Sequence, residues 1–182
     1  MVLERARREP RTLAIGIDAS APAMADSSRR AARPVAKGGL PNAVFVVASA
    51  EHVPDELVGL ADELTVLFPW GSLLRGTLGL GEAAARGIAS LLRPGAAAVA
   101  LVSVTDRDAL GISPLDDESR PEIAARWSAF GLCVARFRRS TAEEAAATGS
   151  TWAKRLSMGR DRPLWRLEIQ RPAADESVAD AI

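Results

Sequence analysis

Short apolar segments alternate with helical patterns along this 182-residue chain, and that alternation restricts its fold more than any other feature. Apolar segments without polar alternation are typical of strands buried on both faces of a parallel sheet. Strands that alternate with helices predict a layered α/β domain with a mainly parallel sheet. We predict strands at residues 12–18, 43–48, 63–68, 96–104, 132–138 and 164–170, and helices at 2–8, 21–32, 81–92, 121–130 and 141–147. Ser20 is predicted to cap the second of these helices and Thr141 the last.

The composition excludes several kinds of site. A single cysteine, Cys133, excludes an internal disulfide framework, and a single histidine, His52, excludes any site that needs two imidazoles. We predict structural roles for both residues. The longest apolar segment, residues 96–104, is far shorter than the roughly 20 residues of a membrane helix. We therefore expect a cytoplasmic, monomeric protein with no membrane partner and no metal.

Charge is balanced over the whole chain, with 23 basic and 23 acidic residues, but it is distributed unevenly. Residues 1–40 carry eight basic and four acidic side chains, a surplus of +4, and residues 133–171 carry nine and four, a surplus of +5. Residues 41–70, in contrast, carry five acids and no lysine or arginine. The two basic segments would suit a polyanion if the fold brings them together, and solvated surface faces are the alternative.

Residues that follow the predicted strands form the candidate site, because ligands of parallel sheets bind at the carboxyl ends of the strands. Asp18 follows the first strand, where its carboxylate can accept both hydroxyls of a ribose or interact with the next helix N-terminus. Ala50 and Glu51 follow the second strand. A small residue leaves room for a flat ring and a carboxylate can accept from an amino group, as an adenine requires; a solvated Glu51 is the alternative.

Two tryptophans lie outside the apolar patterns. Pro69 ends the third strand, so Trp70 lies in a loop, where its ring can face a planar ligand or fold back on the core. Trp152 is preceded by hydroxyl residues and followed by cations, which is the combination that an unstacked RNA base and its phosphates require. Trp127 and Trp165, in contrast, lie within apolar patterns and are predicted core residues.

The chain also carries five segments in a fixed order: Asp18, Lys37–Asn42, Ala50–Glu51, Leu67–Arg75 and Ser150–Arg155. Together they resemble the aminoglycoside-resistance 16S rRNA methyltransferases, and more narrowly the enzymes that methylate N1 of adenine-1408 in the decoding site. The similarity extends from about residue 5 to residue 167. Its most specific parts are the sequences PWGSLLR and STWAKRL.

This resemblance implies a Rossmann-like class I methyltransferase sheet with helices on both faces and S-adenosylmethionine (SAM) as the cofactor. It implies that Trp70 and Trp152 sandwich a flipped adenine, and that Ser150 helps to shape that pocket; these three are the catalytic candidates. The implied cofactor-binding residues are Asp18 on the ribose, Ala50 and Glu51 near the adenine, and Leu67, Phe68, Pro69, Trp70, Gly71, Ser72, Ser150, Thr151 and Trp152 around the methionine side and the target base. The residues implied to hold 16S rRNA within the 30S subunit are Arg29, Arg30, Arg33, Lys37, Lys154, Arg155, Arg160 and Arg162.

The chain departs from the family pattern at its beginning. The family starts with a strand and a glycine-rich Asp-x-Gly-x-Gly turn, and no such sequence precedes Asp18. We therefore expect an N-terminally incomplete methyltransferase domain over residues 1–171, weak binding of SAM, and a disordered acidic tail over residues 172–182. A different Rossmann-like nucleotide-dependent enzyme and a truncated, non-catalytic RNA-binding remnant are the alternatives.

Overall fold

Strands and helices alternate in the computed structural model, which describes residues 1–149 and 163–174. The contacts divide the chain into two compact units, residues 1–49 and 50–182, so the single domain over residues 1–171 stays a prediction. Unit 1 contains α1 (Val2–Arg8), β1 (Ala14–Asp18), α2 (Ala21–Ala31) and β2 (Ala43–Val47). Unit 2 contains β3 (Ala61–Leu67), α3 (Gly71–Thr77), α4 (Glu82–Leu91), β4 (Leu92–Val102), α5 (Arg120–Ser128), β5 (Cys133–Arg139), α6 (Ala142–Ala147) and β6 (Trp165–Gln170).

Unit 1 is built on the parallel pair β1 and β2, in which Ala14 lies opposite Ala43. Ser20 caps α2, because its side chain accepts a hydrogen bond from the Ala23 amide. Helix α1 buries Leu3 and Ala6 against this pair. The predicted helices and strands of this region are confirmed, with strand ends that differ by one or two residues.

Asn42 joins the end of α1 to the start of β2. Its Nδ2 group lies 2.9 Å from the Ala6 carbonyl oxygen, 3.2 Å from that of Glu9 and 2.9 Å from that of Thr12. One side-chain amide therefore satisfies carbonyl groups at the end of a helix, where no intrahelical partner is available.

Replacing Asn42 with alanine is expected to destabilise this junction by about 1–3 kcal/mol, because carbonyl groups lose their donor. Amide hydrogen exchange of residues 5–13 should accelerate about 10- to 100-fold. The exchange measurement is chosen because all four tryptophans follow residue 49, so unit 1 contains no tryptophan of its own. The exposed neighbour Pro41, replaced with alanine, is the control; equal exchange in the two variants would contradict the role of Asn42.

Unit 2 is built on a mixed sheet with the strand order β3-β4-β6-β5. Strands β3 and β4 are parallel, whereas β6 runs antiparallel to both β4 and β5. The sheet is thus less uniformly parallel than the apolar segments predict. The burial of β6 explains the difference: Trp165, Leu167 and Ile169 are buried and the residues between them are not, an alternation typical of antiparallel strands.

The connections around the sheet differ in two places from the prediction. The segment after Pro69, which we expected to be a loop, continues as helix α3 from Gly71; two glycines in its seven residues weaken the helical signal. Strand β4 begins at Leu92, directly after α4, and its pairing with β3 shifts register between Ala61 and Glu63. The helix therefore ends one residue before the predicted end, and the strand starts four residues earlier than predicted.

The main core of unit 2 contains both of the predicted core tryptophans. Trp127 on α5 and Trp165 on β6 are fully buried. The Trp127 indole donates a hydrogen bond to the Thr77 carbonyl at 3.2 Å, which joins α5 to the end of α3. Trp165 stacks on Phe137 with a centroid distance of 4.8 Å and an interplanar angle of 6°. In the described part of the chain, no helix combines the length and the apolar character needed to cross a membrane.

Candidate functional site

The carboxyl end of β3 forms a sharp bend that the structure anchors at several points. Phe68 has a φ of +49°, in the left-handed region that costs a non-glycine residue roughly 1–2 kcal/mol. Its amide donates to the Leu101 carbonyl at 2.8 Å, and its side chain is buried with Leu101 and Ala145. Pro69 is also buried. The bend is therefore held by packing on the sheet, which offsets the backbone strain.

Trp70 lies at the outer side of this bend. It is the N-cap residue of α3 and is 78% exposed, whereas Trp127 and Trp165 are fully buried. Gly71, with a φ of +58°, allows the chain to turn into the helix directly after Trp70. The sequence left open whether this ring faces a planar ligand or folds back on the core. In the structure the ring is exposed and is available to a planar ligand.

The other residues of the bend divide between core and surface. Leu67 is half-buried and the side chains of Phe68 and Pro69 are buried, whereas Gly71 and Ser72 are exposed. A ligand at this bend would meet the Trp70 ring and the backbone around it, because the Phe68 side chain points into the core. The role of these residues in binding a cofactor stays a prediction.

Ala50 and Glu51 are half-buried and lie against α4. Gly87 makes this approach possible, because a Cβ atom at that position would lie 1.7 Å from the Ala50 carbonyl oxygen. Glu51 and Val53 then form one wall of a shallow groove whose other wall is α4. The position of Ala50 relative to the helix is therefore fixed by the absence of a side chain at Gly87.

Asp18 is exposed at the end of β1 in unit 1. Its Oδ1 accepts a hydrogen bond from the Ser20 amide at 2.7 Å, just before α2 begins. This contact supports a role at the helix N-terminus, one of the two alternatives for this residue. Binding of a ribose by Asp18 stays a prediction.

A network of polar side chains holds the start of α6. Arg138 binds Glu144 through two hydrogen bonds, of 2.9 and 2.5 Å, and Ser140 Oγ donates to the same carboxylate at 3.0 Å. Thr141 and Glu144 form a reciprocal capping box, so the predicted cap at Thr141 is confirmed. The hydrogen bond from Arg138, followed by that from the Thr141 amide, lowers the pKa of Glu144 to about 2.

This network predicts an acid-sensitive region. A carboxyl whose pKa is lower in the folded state stabilises the fold above its unfolded pKa of 4.5, and that contribution is lost as the pH falls toward 2. We expect Glu144→Gln to destabilise the protein at pH 7, and its difference in stability from the wild type to shrink between pH 4.5 and 2. The control is Glu143→Gln, an exposed acid in the same helical turn. Urea unfolding across this pH range measures the effect, and a pH-independent difference would contradict it.

The structure describes four of the eight predicted RNA-binding residues. Arg29, Arg30, Arg33 and Lys37 are exposed along the end of α2 and the turn that follows it. Asp26 lies 3.6 Å from Arg29 and 3.9 Å from Arg30, and such exposed pairs contribute little. The following predicted residues lie outside the described part of the chain: Ser150, Thr151, Trp152, Lys154, Arg155, Arg160 and Arg162. The pairing of Trp70 with Trp152 therefore stays a prediction.

Three positioning contacts were not predicted from the sequence: those of Asn42 and of Gly87, and the bond that Glu144 accepts from the Thr141 amide. Only the last had a usable local signal, because Thr141-x-x-Glu144 is a capping-box pattern. The contacts of Asn42 and Gly87 depend on atoms far away in the sequence, and no local pattern indicates them. In the described residues, no group of three or more His, Cys, Asp or Glu side chains could hold a metal ion.

The chain is similar to known proteins over most of its length. Residues 1–171 match the family model NpmA, 16S rRNA (adenine(1408)-N(1))-methyltransferase. A 16S rRNA (adenine(1408)-N(1))-methyltransferase of Streptoalloteichus hindustanus is 41% identical over 163 residues, which cover 86% of this chain and 75% of the relative. A protein of the same description from Escherichia coli is 29% identical over 174 residues, which cover 91% of this chain and 80% of that protein.

Solved structures give the same result. The crystal structure of the 16S rRNA methyltransferase KamB aligns with a TM-score of 0.82 at 36% identity, covering 93% of this chain and 81% of that one. A second structure is that of a 16S rRNA (adenine(1408)-N(1))-methyltransferase from Catenulisporales acidiphilia, a variant crystallised with the cosubstrate SAM. It aligns with a TM-score of 0.83 at 30% identity and covers 95% of this chain and 81% of that chain. The Rossmann-like methyltransferase fold implied by the sequence is thereby confirmed.

Proposed function

Because this chain belongs to the 16S rRNA (adenine(1408)-N(1))-methyltransferase family, we propose that it transfers a methyl group from SAM to N1 of adenine-1408 within the 30S subunit. The family is SAM-dependent, and its members include aminoglycoside-resistance enzymes. N1 methylation adds a methyl group and a positive charge to the Watson–Crick edge of the adenine. This change at the decoding site is the proposed basis of resistance to aminoglycosides.

The exposed ring of Trp70 is the observation that supports this proposal most directly. A tryptophan that is 78% exposed on a strained, well-anchored bend has no role in the core. Stacking of a nucleobase on such a ring contributes roughly 1–3 kcal/mol. That free energy offsets part of the few kcal/mol needed to flip a base out of its stack. Trp152 is proposed to cover the opposite face of the adenine.

Within each unit, the residues proposed to contact SAM have side chains of suitable chemistry. An exposed carboxylate, Asp18, ends β1 and is proposed to hold the ribose, while the small side chain of Ala50 leaves room for an adenine ring beside Glu51. The bend at residues 67–72 and the segment 150–152 are proposed to line the methionine side and the target base. SAM supplies a sulfonium-bound methyl group that the adenine N1 lone pair can attack directly.

The protein's contribution to this reaction is mainly positioning. Neutral adenine already has a lone pair on N1, so the attack needs no covalent enzyme intermediate. The new N1–carbon bond forms as the carbon–sulfur bond breaks, and the leaving group is the neutral thioether S-adenosylhomocysteine. Holding the two reactants in line accounts for much of the rate, and stacking on Trp70 fixes one of them.

The polyanionic partner is proposed to be held by the exposed cations of α2 and its following turn. Arg33 and Lys37 carry no ion pair within the described residues, so their charges are available to phosphates. Lys154, Arg155, Arg160 and Arg162 are proposed to contribute from the second basic segment. A cytoplasmic location is proposed, because the 30S subunit is the substrate, and the monomeric state stays a prediction.

A methyl-transfer assay tests the proposal. We expect tritium from methyl-labelled SAM to enter 16S rRNA of intact 30S subunits and not of 30S subunits that carry guanine at position 1408, because guanine N1 bears a proton in place of a lone pair. Label in both kinds of subunit would indicate a different nucleotide. Binding of 30S subunits without any transfer would favour the non-catalytic RNA-binding alternative.

A further inference from the structure

We propose that Arg139 at the end of β5 binds an RNA phosphate next to the extruded adenine, an inference that rests on the proposed action on 16S rRNA. The residue is exposed and is not among the cations implied by the family resemblance. Its position, its orientation and its charge each support this role.

The strand register places Arg139 on the same edge of the sheet as Trp70. Arg139 lies opposite Trp165, and Trp165 lies opposite Val102 at the carboxyl end of β4. The neighbouring strand β3 ends one residue before Phe68, whose amide binds the Leu101 carbonyl. Adjacent strands are about 4.8 Å apart, so three spacings separate the ends of β3 and β5 by roughly 14 Å. A nucleic-acid strand whose base reaches Trp70 passes within reach of this edge.

An aromatic side chain holds the Arg139 guanidinium in place. Its Cζ lies 4.6 Å from the centroid of the Trp165 ring, whose other neighbour is the stacked Phe137. A guanidinium that lies over a ring keeps its N–H groups available at the edges, and it loses less side-chain entropy on binding phosphate. The backbone at this point is fixed as well, because Arg138 Nη1 donates to the Arg139 carbonyl at 2.9 Å.

Arg139 differs from its neighbour in charge balance. Arg138 is paired with Glu144 by two hydrogen bonds, so its charge is neutralised. Among the residues that the structure describes, no carboxylate lies within ion-pair distance of Arg139. Two adjacent arginines therefore have different roles: Arg138 orders the start of α6, and Arg139 offers an uncompensated charge to the partner.

The alternative is that Arg139 only covers the Trp165 ring. Arg139→Met separates the two roles, because a methionine side chain can still cover the ring but carries no charge. Arg139→Lys keeps the charge and removes the planar guanidinium. Arg136→Met is the matched control, since Arg136 is an exposed arginine of the same strand three residues further from this edge.

The experiment is equilibrium binding of the full chain to 30S subunits between 50 and 200 mM KCl. Each phosphate contact that is lost reduces the slope of log K against log salt by about 0.7–0.9. We expect this reduction, and weaker binding at low salt, for Arg139→Met, with wild-type slopes for Arg139→Lys and Arg136→Met. Urea unfolding checks that all variants are folded.

The outcomes separate this inference from the proposed function. If the wild-type chain shows no binding to 30S subunits, the proposed function fails and this inference fails with it. If the wild type binds and Arg139→Met retains the wild-type slope, only the role of Arg139 is overturned. Equal losses of slope in Arg139→Met and Arg136→Met would also overturn it, because the effect would then come from net charge.

Discussion

Replacing Trp70 with alanine is expected to reduce methyl transfer to 30S subunits by about 5- to 150-fold while the protein stays folded. The ring is 78% exposed and makes no side-chain capping bond at the start of α3, so the fold loses little when it is removed. The reaction loses a stacking surface worth roughly 1–3 kcal/mol, and each 1.36 kcal/mol corresponds to a tenfold change in rate. Single-turnover transfer of labelled methyl groups measures the loss.

Two variants show whether the effect comes from stacking. Trp70→Phe keeps an aromatic face and should retain most of the rate. Val58→Ala removes another exposed apolar side chain of unit 2 and should leave the rate unchanged. A wild-type rate in Trp70→Ala would contradict the assignment of this ring to the target base, and loss of folding would make Trp70 a structural residue.

Gly87→Ala is expected to destabilise unit 2 by about 1–3 kcal/mol, the usual cost of overpacking. The sign is informative, because the same substitution inside a helix normally stabilises it by roughly 0.5–1 kcal/mol. Here the added Cβ would lie 1.7 Å from the Ala50 carbonyl oxygen and 3.2 Å from Val53, so either the helix or the 50–53 segment must move. Urea unfolding followed by tryptophan fluorescence measures the change.

The control for Gly87→Ala is Ala83→Ser, an exposed position one turn earlier on α4. It should leave both the stability and the amide exchange of residues 50–53 unchanged, whereas Gly87→Ala should accelerate that exchange. A more stable Gly87→Ala variant would mean that the approach of α4 to Ala50 is looser than the structure indicates.

The sequence predicts elements best where the signal is local. The Ser20 cap, the Thr141 cap and the burial of Trp127 and Trp165 all follow from residue types and periodicity within a few positions, and each is confirmed. Trp70 is different: the adjacent Pro69 indicates a loop, but the bend that presents the ring is anchored by Phe68 on Leu101, a contact between distant segments.

The remaining features depend on contacts between distant segments. The two glycines of helix α3 weaken its helical signal in the sequence. Gly76 allows α3 to approach the next helix closely, because a Cβ atom there would lie 2.4 Å from Ala84. The antiparallel direction of β6 has a local signal, because buried and less buried residues alternate along this strand. The prediction of a mainly parallel sheet did not take this alternation into account. The pairing of Arg138 with Glu144 needs the end of β5 and the start of α6 to meet, a geometry that spacing alone does not determine.

Reverse transcription across position 1408 tests the central claim most directly. A methyl group on N1 blocks the Watson–Crick edge, so a reverse transcriptase stops one nucleotide before the modified adenine. After incubation of 30S subunits with this chain and SAM, we predict a new stop at that position, which is absent without SAM and strongly reduced with Trp70→Ala. Full-length read-through in every sample, or a stop at another nucleotide, would contradict the account.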